Sequence, residues 1–361
     1  LAFVGFSAMA SPSSCAVTPG ARTKLVIVGD IHGHWDHAAD AEAIRSLAPD
    51  AVLFVGDFEN EGTAIAKSVA ELAQHLPVAA VLGNHDAWRT TLGWGDGSLV
   101  RSQLEHLGEV HVGFGRRDLP SLGLSVVGGR PCSWGGQEWS GMRGLPASLY
   151  RRHFAGLRSF EESAGRIQAA VASAPTKHGL IFLAHNGPTG LGTARTAPVG
   201  RDFGGRAGGD HGDPDLTAAV AHATKEGRSV PLVVFGHMHD AIDGRSGARQ
   251  MIAAQAKTVY INAAVVPRKR QGPGGIERFF TVVTMNSTAV ETVVQLWLGP
   301  GHKPVQEVRL YPASAAAGPA VAAEDRGHRI DVNLAARVGR AIHTAFAAAL
   351  AMALSAVIVN A

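Results

Sequence analysis

The stretch Lys24–Trp35, KLVIVGDIHGHW, decides the fold. Leu25–Val28 is a short unbroken apolar run, rich in β-branched residues, with Gly29 directly behind it. Such a run reads as a strand buried on both faces, as in a parallel sheet covered by helices. Asp30 and His32 follow, a carboxylate and an imidazole two residues apart. A loop leaving a strand can aim both into one small volume, which makes them natural ligands for a divalent metal.

The same device recurs four times. Val52–Val55 is followed by Gly56 and Asp57, and Val78–Leu82 by Gly83, Asn84, His85 and Asp86. Leu180–Leu183 is followed by Ala184 and His185, and Leu232–Phe235 by Gly236, His237, Met238 and His239. Sites in open α/β sheets form outside the carboxyl ends of the strands. Five such ends would deliver Asp, Asp, Asn, His and His to one edge. The chain has 17 His, so any one of them alone is explained by an ordinary loop position. The joint order of the five blocks is what points to a metal.

Between the blocks the periodicity predicts helices over Trp35–Leu47 and Thr63–His75, stopped by Pro49 and Pro77. The β-α-β-α-β order predicts parallel strands joined by right-handed crossovers. Further on, helices are expected over 98–107, Ser148–Phe154, Ser159–Ser173 and 214–226, the last with Asp213 as N-cap and Pro214 at its first position. A strand is expected over 124–128. Segments 257–262, 277–285 and 289–298 alternate well, and Asn286-Ser287-Thr288 is placed to turn the last two into a hairpin.

Other features admit two readings each. Trp88, Trp94, Trp134 and Trp139 fall in one loosely patterned region, either beside the metals or in the core. The glycine-rich stretch Asn186–Gly212 carries Arg195, Arg201 and Arg206, which suit either phosphate oxygens or solvent. Asp210, His211, Asp213 and Asp215 look like another metal cluster, against the capping role of Asp213. Arg268-Lys269-Arg270 lies in a Pro/Gly loop and is expected to be solvated.

With 361 residues and 46% apolar composition, the chain can bury a full core. Cys15 and Cys132 are its only cysteines, so no thiolate metal cluster exists and any metal site uses oxygen and nitrogen ligands. The net charge of +3 suits an anionic substrate, though so small an excess is also plain surface composition. No aromatic–basic motif of a nucleic-acid-binding module is present, which disfavours that partner. Nothing in the sequence specifies an oligomeric state.

Residues 1–22 hold no acidic side chain and several serines, which resembles the end of an organelle transit peptide and suggests a plastid location. A secretory signal ending near Cys15–Ala16 is the rival, and a chain without either would be cytoplasmic. Residues 23–311 form the expected catalytic domain. Residues 312–361 begin as an Ala/Pro/Gly-rich linker and end in the apolar stretch Ala341–Ala361. That stretch is just long enough to span a bilayer, but its alanine content favours a docked helix over an anchor.

The set GDIHG (29–33), GD (56–57), GNHD (83–86), His185 and GHMH (236–239) resembles the five signature blocks of the calcineurin-like metallophosphoesterases, over about Lys24 to Trp297. The resemblance implies a four-layer α-β-β-α sandwich of two mixed sheets flanked by helices. It implies two divalent ions, Mn, Fe or Zn, as cofactors. Asp30, His32, Asp57 and His239 would hold one, and Asp57, Asn84, His185 and His237 the other. It further implies a phosphoester hydrolase, a phosphatase with phosphodiesterase or nucleotide hydrolase as the alternative, acting on a phosphorylated small molecule or nucleotide. Attack would be in line, by a metal-bound hydroxide, with His85 as general acid oriented by Asp86. A non-catalytic scaffold on the same fold is the remaining reading, disfavoured by the full ligand set. The second block reads GDFENEG, with Glu61 where Ser/Thr protein phosphatases carry a phosphate-binding arginine, and Asn60 where purple acid phosphatases carry a tyrosine ligand. Both subfamilies are therefore disfavoured.

Overall fold

A computed structural model describes residues 22–139, 145–203, 208–242 and 247–312. The leader, linker and apolar-tail readings fall outside these residues, as does Arg206. No helix among the described residues is long and apolar enough to cross a membrane.

The first parallel unit follows the expected order. Strands β1 (Thr23–Val28), β2 (Ala51–Phe54) and β3 (Val78–Ala80) alternate with helices α1 (His37–Ser46) and α2 (Ala64–Leu72). Helix α1 starts where Asp36 can cap it, its carboxylate accepting from Ala39 N at 3.0 Å. A short helix α3 (Trp88–Thr91) and helix α4 (Ser98–Leu107) follow, then β4 (Arg116–Leu119) and β5 (Leu124–Gly128). Helices α5 (Leu145–His153) and α6 (Phe160–Ser173) lead to β6 (Gly179–Leu183), and helix α7 (Pro214–Lys225) to β7 (Leu232–Phe235). The described residues end in strands β8 (Ile252–Gln255), β9 (Thr258–Asn262), β10 (Lys269–Gly272), β11 (Gly275–Met285), β12 (Val290–Leu298) and β13 (Pro304–Tyr311).

Two mixed sheets result. One runs β13-β12-β11-β1-β2-β3, with β10 added to β11; the other runs β4-β5-β6-β7-β9-β8. Strands β1, β2 and β3 pair in parallel, as do β5, β6, β7 and β9. The expected hairpin joins β11 to β12 antiparallel, and Asn286 Oδ1 closes its turn by accepting from Thr288 N and Ala289 N at 2.9 Å each.

Alternation along each strand sorts the core into layers. Leu25, Ile27, Leu53 and Val55 meet Val126, Ile181, Leu183 and Val234 between the sheets. Val26, Val28, Val52 and Phe54 face α1 and α2 through Ile44, Ile65 and Val69. Phe182, Val233 and Phe235 face α6 and α7 through Ile167, Val171 and Leu216. The fold is thus the four-layer α-β-β-α sandwich, and its parallel strands end on one rim.

The Arg268-Lys269-Arg270 reading holds for the exposed Arg270 but is corrected at Arg268 and in the loop assignment. Arg268 is 1% exposed, and Lys269 and Arg270 belong to β10. Arg268 Nη1 pairs with the buried Asp40 at 2.7 Å, and its guanidinium lies 5.4 Å and 5.2 Å from the ring centres of Trp35 and Phe280. A planar, weakly hydrated cation between two rings and a carboxylate can stay buried.

Candidate metal centre

The five block loops are tied to one another by their backbones. Ile31 N and His32 N both donate to Asp57 O, at 2.9 and 2.7 Å. His85 N donates to Asp57 Oδ1 at 2.8 Å, Gly236 N to His185 O at 2.8 Å, and His237 N to Asp30 Oδ2 at 3.0 Å. All seven expected donors meet at this rim.

They form two groups that share one carboxylate. In the first, His32 Nε2 lies 3.1 Å from His239 Nε2, His239 Nε2 lies 3.4 Å from Asp30 Oδ2, and His32 Nε2 lies 3.6 Å from Asp57 Oδ2. In the second, Asn84 Oδ1 lies 2.8 Å from His185 Nε2 and 2.9 Å from His237 Nδ1, and His185 Nε2 lies 3.4 Å from Asp57 Oδ1. Asp57 turns one oxygen to each group. Asp30, Asp57, Asn84 and His185 are buried, while the His239 side chain is 40% exposed and marks the open side.

The donor chemistry fits divalent ions. His185 Nδ1 lies 2.8 Å from the carbonyl of Val55, which can only accept, so Nδ1 carries a proton and Nε2 is the nitrogen turned inward. There it faces Asn84 Oδ1 and Asp57 Oδ1. Burial pulls the His32 imidazole down to about 4 and His237 well below its ordinary value, so both offer lone pairs at neutral pH. Burial opposes the Asp30 carboxylate, but the His239 hydrogen bond and the surrounding imidazoles hold it well below the usual carboxylate range. No Lys or Arg pairs with Asp30 or Asp57 among the described residues.

Three of these donors are among the ten described non-glycine residues with positive φ. His32, Asp57 and His237 have φ of 46°, 52° and 69°, a left-handed region that side chains normally avoid. Such strain is held at sites where geometry serves function. Two glycines make the room: a Cβ on Gly83 would stand 2.2 Å from Asp57 Oδ1, and one on Gly236 2.2 Å from Asp30 Oδ1.

His85 stands beside this centre, but the expected Asp86 support is absent. Asp86 instead accepts from Phe58 N at 2.8 Å and Gly83 N at 2.7 Å, pinning the second and third block loops together. Its carboxyl is driven well above the usual range by burial and by the Asp57 charge. The partner of His85 is Asn60, with Nδ1 and Oδ1 at 2.6 Å, a pairing the sequence reading missed. Glu61, in the place of the phosphatase arginine, is buried and accepts from Thr90 N at 2.7 Å.

Asp210, His211, Asp213 and Asp215 do not converge as ligands. Asp213 and Asp215 bind Arg130, at 2.8 and 2.9 Å, while Asp210 accepts from Gly190 N and Gly212 N. Asp213 occupies the N-cap position of α7, but its carboxylate serves Arg130 and Ser133 instead of the helix. Arg195 Nη2 donates to Asp202 O, and Arg201 lies over the Phe203 ring.

Three solved structures resemble the chain at low identity. A dimetal phosphatase from Danio rerio is 13% identical, covers 80% of this chain and 98% of its own, and has a TM-score of 0.43. The phosphopantetheinyl hydrolase of Mycobacterium tuberculosis is 16% identical over 68% of this chain and 90% of its own, with a TM-score of 0.40. A metallophosphoesterase from Sphaerobacter thermophilus is 16% identical over 73% and 83%, with a TM-score of 0.28. No curated protein matches the chain. The family model of the calcineurin-like phosphoesterases matches residues 23–241, a span that contains all five blocks, and the chain belongs to that family of metal-dependent phosphoester hydrolases.

Proposed function

We propose that the chain is a dinuclear metal-dependent phosphatase acting on small phosphorylated molecules. The observation that carries this reading is Asp57, whose two carboxylate oxygens face different donor groups. Asp30, His32, Asp57 and His239 would hold one ion, and Asp57, Asn84, His185 and His237 the other. Oxygen and nitrogen donors without thiolate suit Mn, Fe or Zn. Such ions, when bound, supply Lewis acidity toward phosphoryl oxygens and lower the pKa of water toward neutrality.

The rest of the chemistry falls to the protein. Asn60 Oδ1 accepts from His85 Nδ1–H, which fixes the ring and leaves Nε2 to move the proton to the departing oxygen. One ring nitrogen of His85 lies within 4.8 Å of the ligand atoms of His32 and Asp57, so the acid stands at the edge of the donor cluster. Asn84 contributes an amide oxygen without charge, which preserves a positive field for a phosphoryl dianion. Asp86 acts at one remove, by fixing the loops that carry Asp57 and His85.

The test is hydrolysis by purified protein loaded with Mn²⁺. Turnover of p-nitrophenyl phosphate above its bis ester is expected. The reverse preference would make the protein a phosphodiesterase, and no turnover of either with Mn²⁺, Fe²⁺ or Zn²⁺ would remove the catalytic reading.

A further inference from the structure

We infer that the free edge of β13 is a dimer interface, which pairs antiparallel with the same strand of a second copy about a two-fold axis at Val308. The inference does not depend on the chemistry of the donor centre.

β13 closes one end of the first sheet. It is hydrogen-bonded to β12 on one side and meets no other strand among the described residues on the other. Every residue from Pro304 to Arg309 is exposed, whereas β3, at the opposite end of the sheet, is wholly buried. Val305 and Val308 are 50% and 42% exposed. A row of unpaired N–H and C=O groups flanked by exposed valines is a template for one more strand. The usual protection of such an edge is partial here. The pairing with β12 slips at Val305 and at Leu310, and bulges of this kind spoil an edge locally. Between them, Gln306–Arg309 keeps an even register with Trp297–Val294. That even stretch carries one glutamate and one arginine, not charges of a single sign.

Charge selects both the occupant and the register. Opposite residues of an antiparallel pair share a face, so a two-fold axis perpendicular to the sheet sets one residue against its own copy. The residues on either side of it then face each other. An axis at Gln306 would set Arg309 against Lys303, one at Glu307 would oppose two carboxylates, and one at Arg309 two guanidinium groups. Like charges directly opposite destabilise a strand pair. An axis at Val308 sets Glu307 against Arg309 of the second copy, twice by symmetry, with valine against valine between them. Glu307 and Arg309 are exposed and form no ion pair within the chain among the described residues, so both charges are available to a second copy. The strand is therefore complementary to itself in one register.

The test is the mass of the full chain in solution, by sedimentation equilibrium over about 1 to 100 µM, and a dimer with a Kd inside that range is expected. Glu307→Arg and Arg309→Glu each replace both cross-strand pairs by like charges, and each should weaken the dimer by at least about tenfold in Kd. The double variant restores opposite charges across the axis and should associate as the unmodified chain does. An equimolar mixture of the two single variants also restores them, between unlike chains, and should dimerise where neither variant does alone. The mixture guards against loss of fold, because only folded chains can rescue each other. A chain that stays monomeric throughout would overturn the inference. Association that ignores both single substitutions would place the contact on another surface and would overturn it equally. So would a double variant and a mixture that remain as weak as the single variants.

Discussion

Two of the buried polar clusters among the described residues differ in where their positive charge comes from. Around Arg130, the guanidinium donates to Asp213, Asp215 and the Tyr150 hydroxyl, and lies 5.1–5.6 Å from the ring centres of Trp139, Tyr150 and Phe160. Ser133 and Ser163 supply further donors to the two carboxylates. That cluster carries its own cation and is closed. At the rim, two carboxylates, an amide oxygen and four imidazoles converge with no such cation among them. A buried carboxylate is tolerable only when paired, so this second cluster is built to receive charge from outside. The difference separates a structural ion pair from a site, although both are buried acids in a core.

The sharpest way to break the comparison is Asp57→Ala. After Mn²⁺ loading, the ion content is expected to fall from two per chain to one or fewer, by elemental analysis, and hydrolysis to fall by more than about a hundredfold. The rise in Tm that Mn²⁺ gives the unmodified protein should shrink with it, because that rise measures binding to the folded state alone. Full ion content in Asp57→Ala would mean that the carboxylate bridges nothing.

His85→Ala tests the boundary of the centre. The ring is near the donors but is held by Asn60 and Trp88, so both ions should stay while kcat falls by about 10²- to 10⁴-fold. Loss of metal in this variant would move His85 from proton donor to ligand.

Arg130→Met reverses the logic on the closed cluster. It strands two buried carboxylates and is expected to cost about 3–5 kcal/mol in urea unfolding while leaving the ion content unchanged. Burial already pushes the Asp213 carboxyl up to about 6 against the pull of Arg130. A raised carboxyl means that the folded state holds its proton to higher pH than the unfolded chain does, so stability falls as pH rises through that window. Without Arg130 the carboxyl rises further, and the loss should be larger at pH 8 than at pH 5. Adding Asp213→Asn and Asp215→Leu should recover much of it.

The two clusters were unequally legible. The donor centre announced itself because each ligand directly follows an apolar run, and five repeats of one device are hard to produce by accident. Helix Ser98–Leu107 and strand Leu124–Gly128 were also legible, although polar Gln103 and Ser125 sit on their buried positions. Arg130 carries the same signal, standing two residues behind the strand run that ends at Gly128, but an arginine is not a ligand type and went unread. The ion pair of Arg268 with Asp40 spans 228 residues, which no local pattern encodes. Strands RRDL, IAAQ, KRQG and PVQEVRLY were missed for a related reason. They lie at sheet margins, where charge in RRDL, KRQG and PVQEVRLY, and small or polar residues in IAAQ, erase the apolar alternation that marks a strand. The supposed support of His85 by Asp86 failed because adjacency in sequence says nothing of direction: the carboxylate points back to the backbone of the second block.

A partly buried histidine sharpens the comparison, because it has neither a cation nor a set of fellow ligands. His111 pairs in a parallel bridge with Ala80 at the edge of the first sheet, and its Nε2 has no partner among the described residues. Burial alone pulls its imidazole down to about 4. The folded value therefore lies below that of the unfolded chain, about 6.5, and between the two the unfolded state binds more protons. Stability contributed by keeping this ring neutral is complete above the unfolded value and is lost as pH falls toward the folded one. His111→Asn removes the titration, whatever its own cost at pH 7.5. Relative to that cost, the variant should gain about 2 kcal/mol on the unmodified protein at pH 5, read from urea midpoints of metal-free samples at both pH values. An offset that does not change with pH would show that His111 keeps an ordinary imidazole value. In that case burial alone would not be enough to hold a histidine neutral here, and the low values at His32 and His237 would have to be credited to their neighbours in the donor centre.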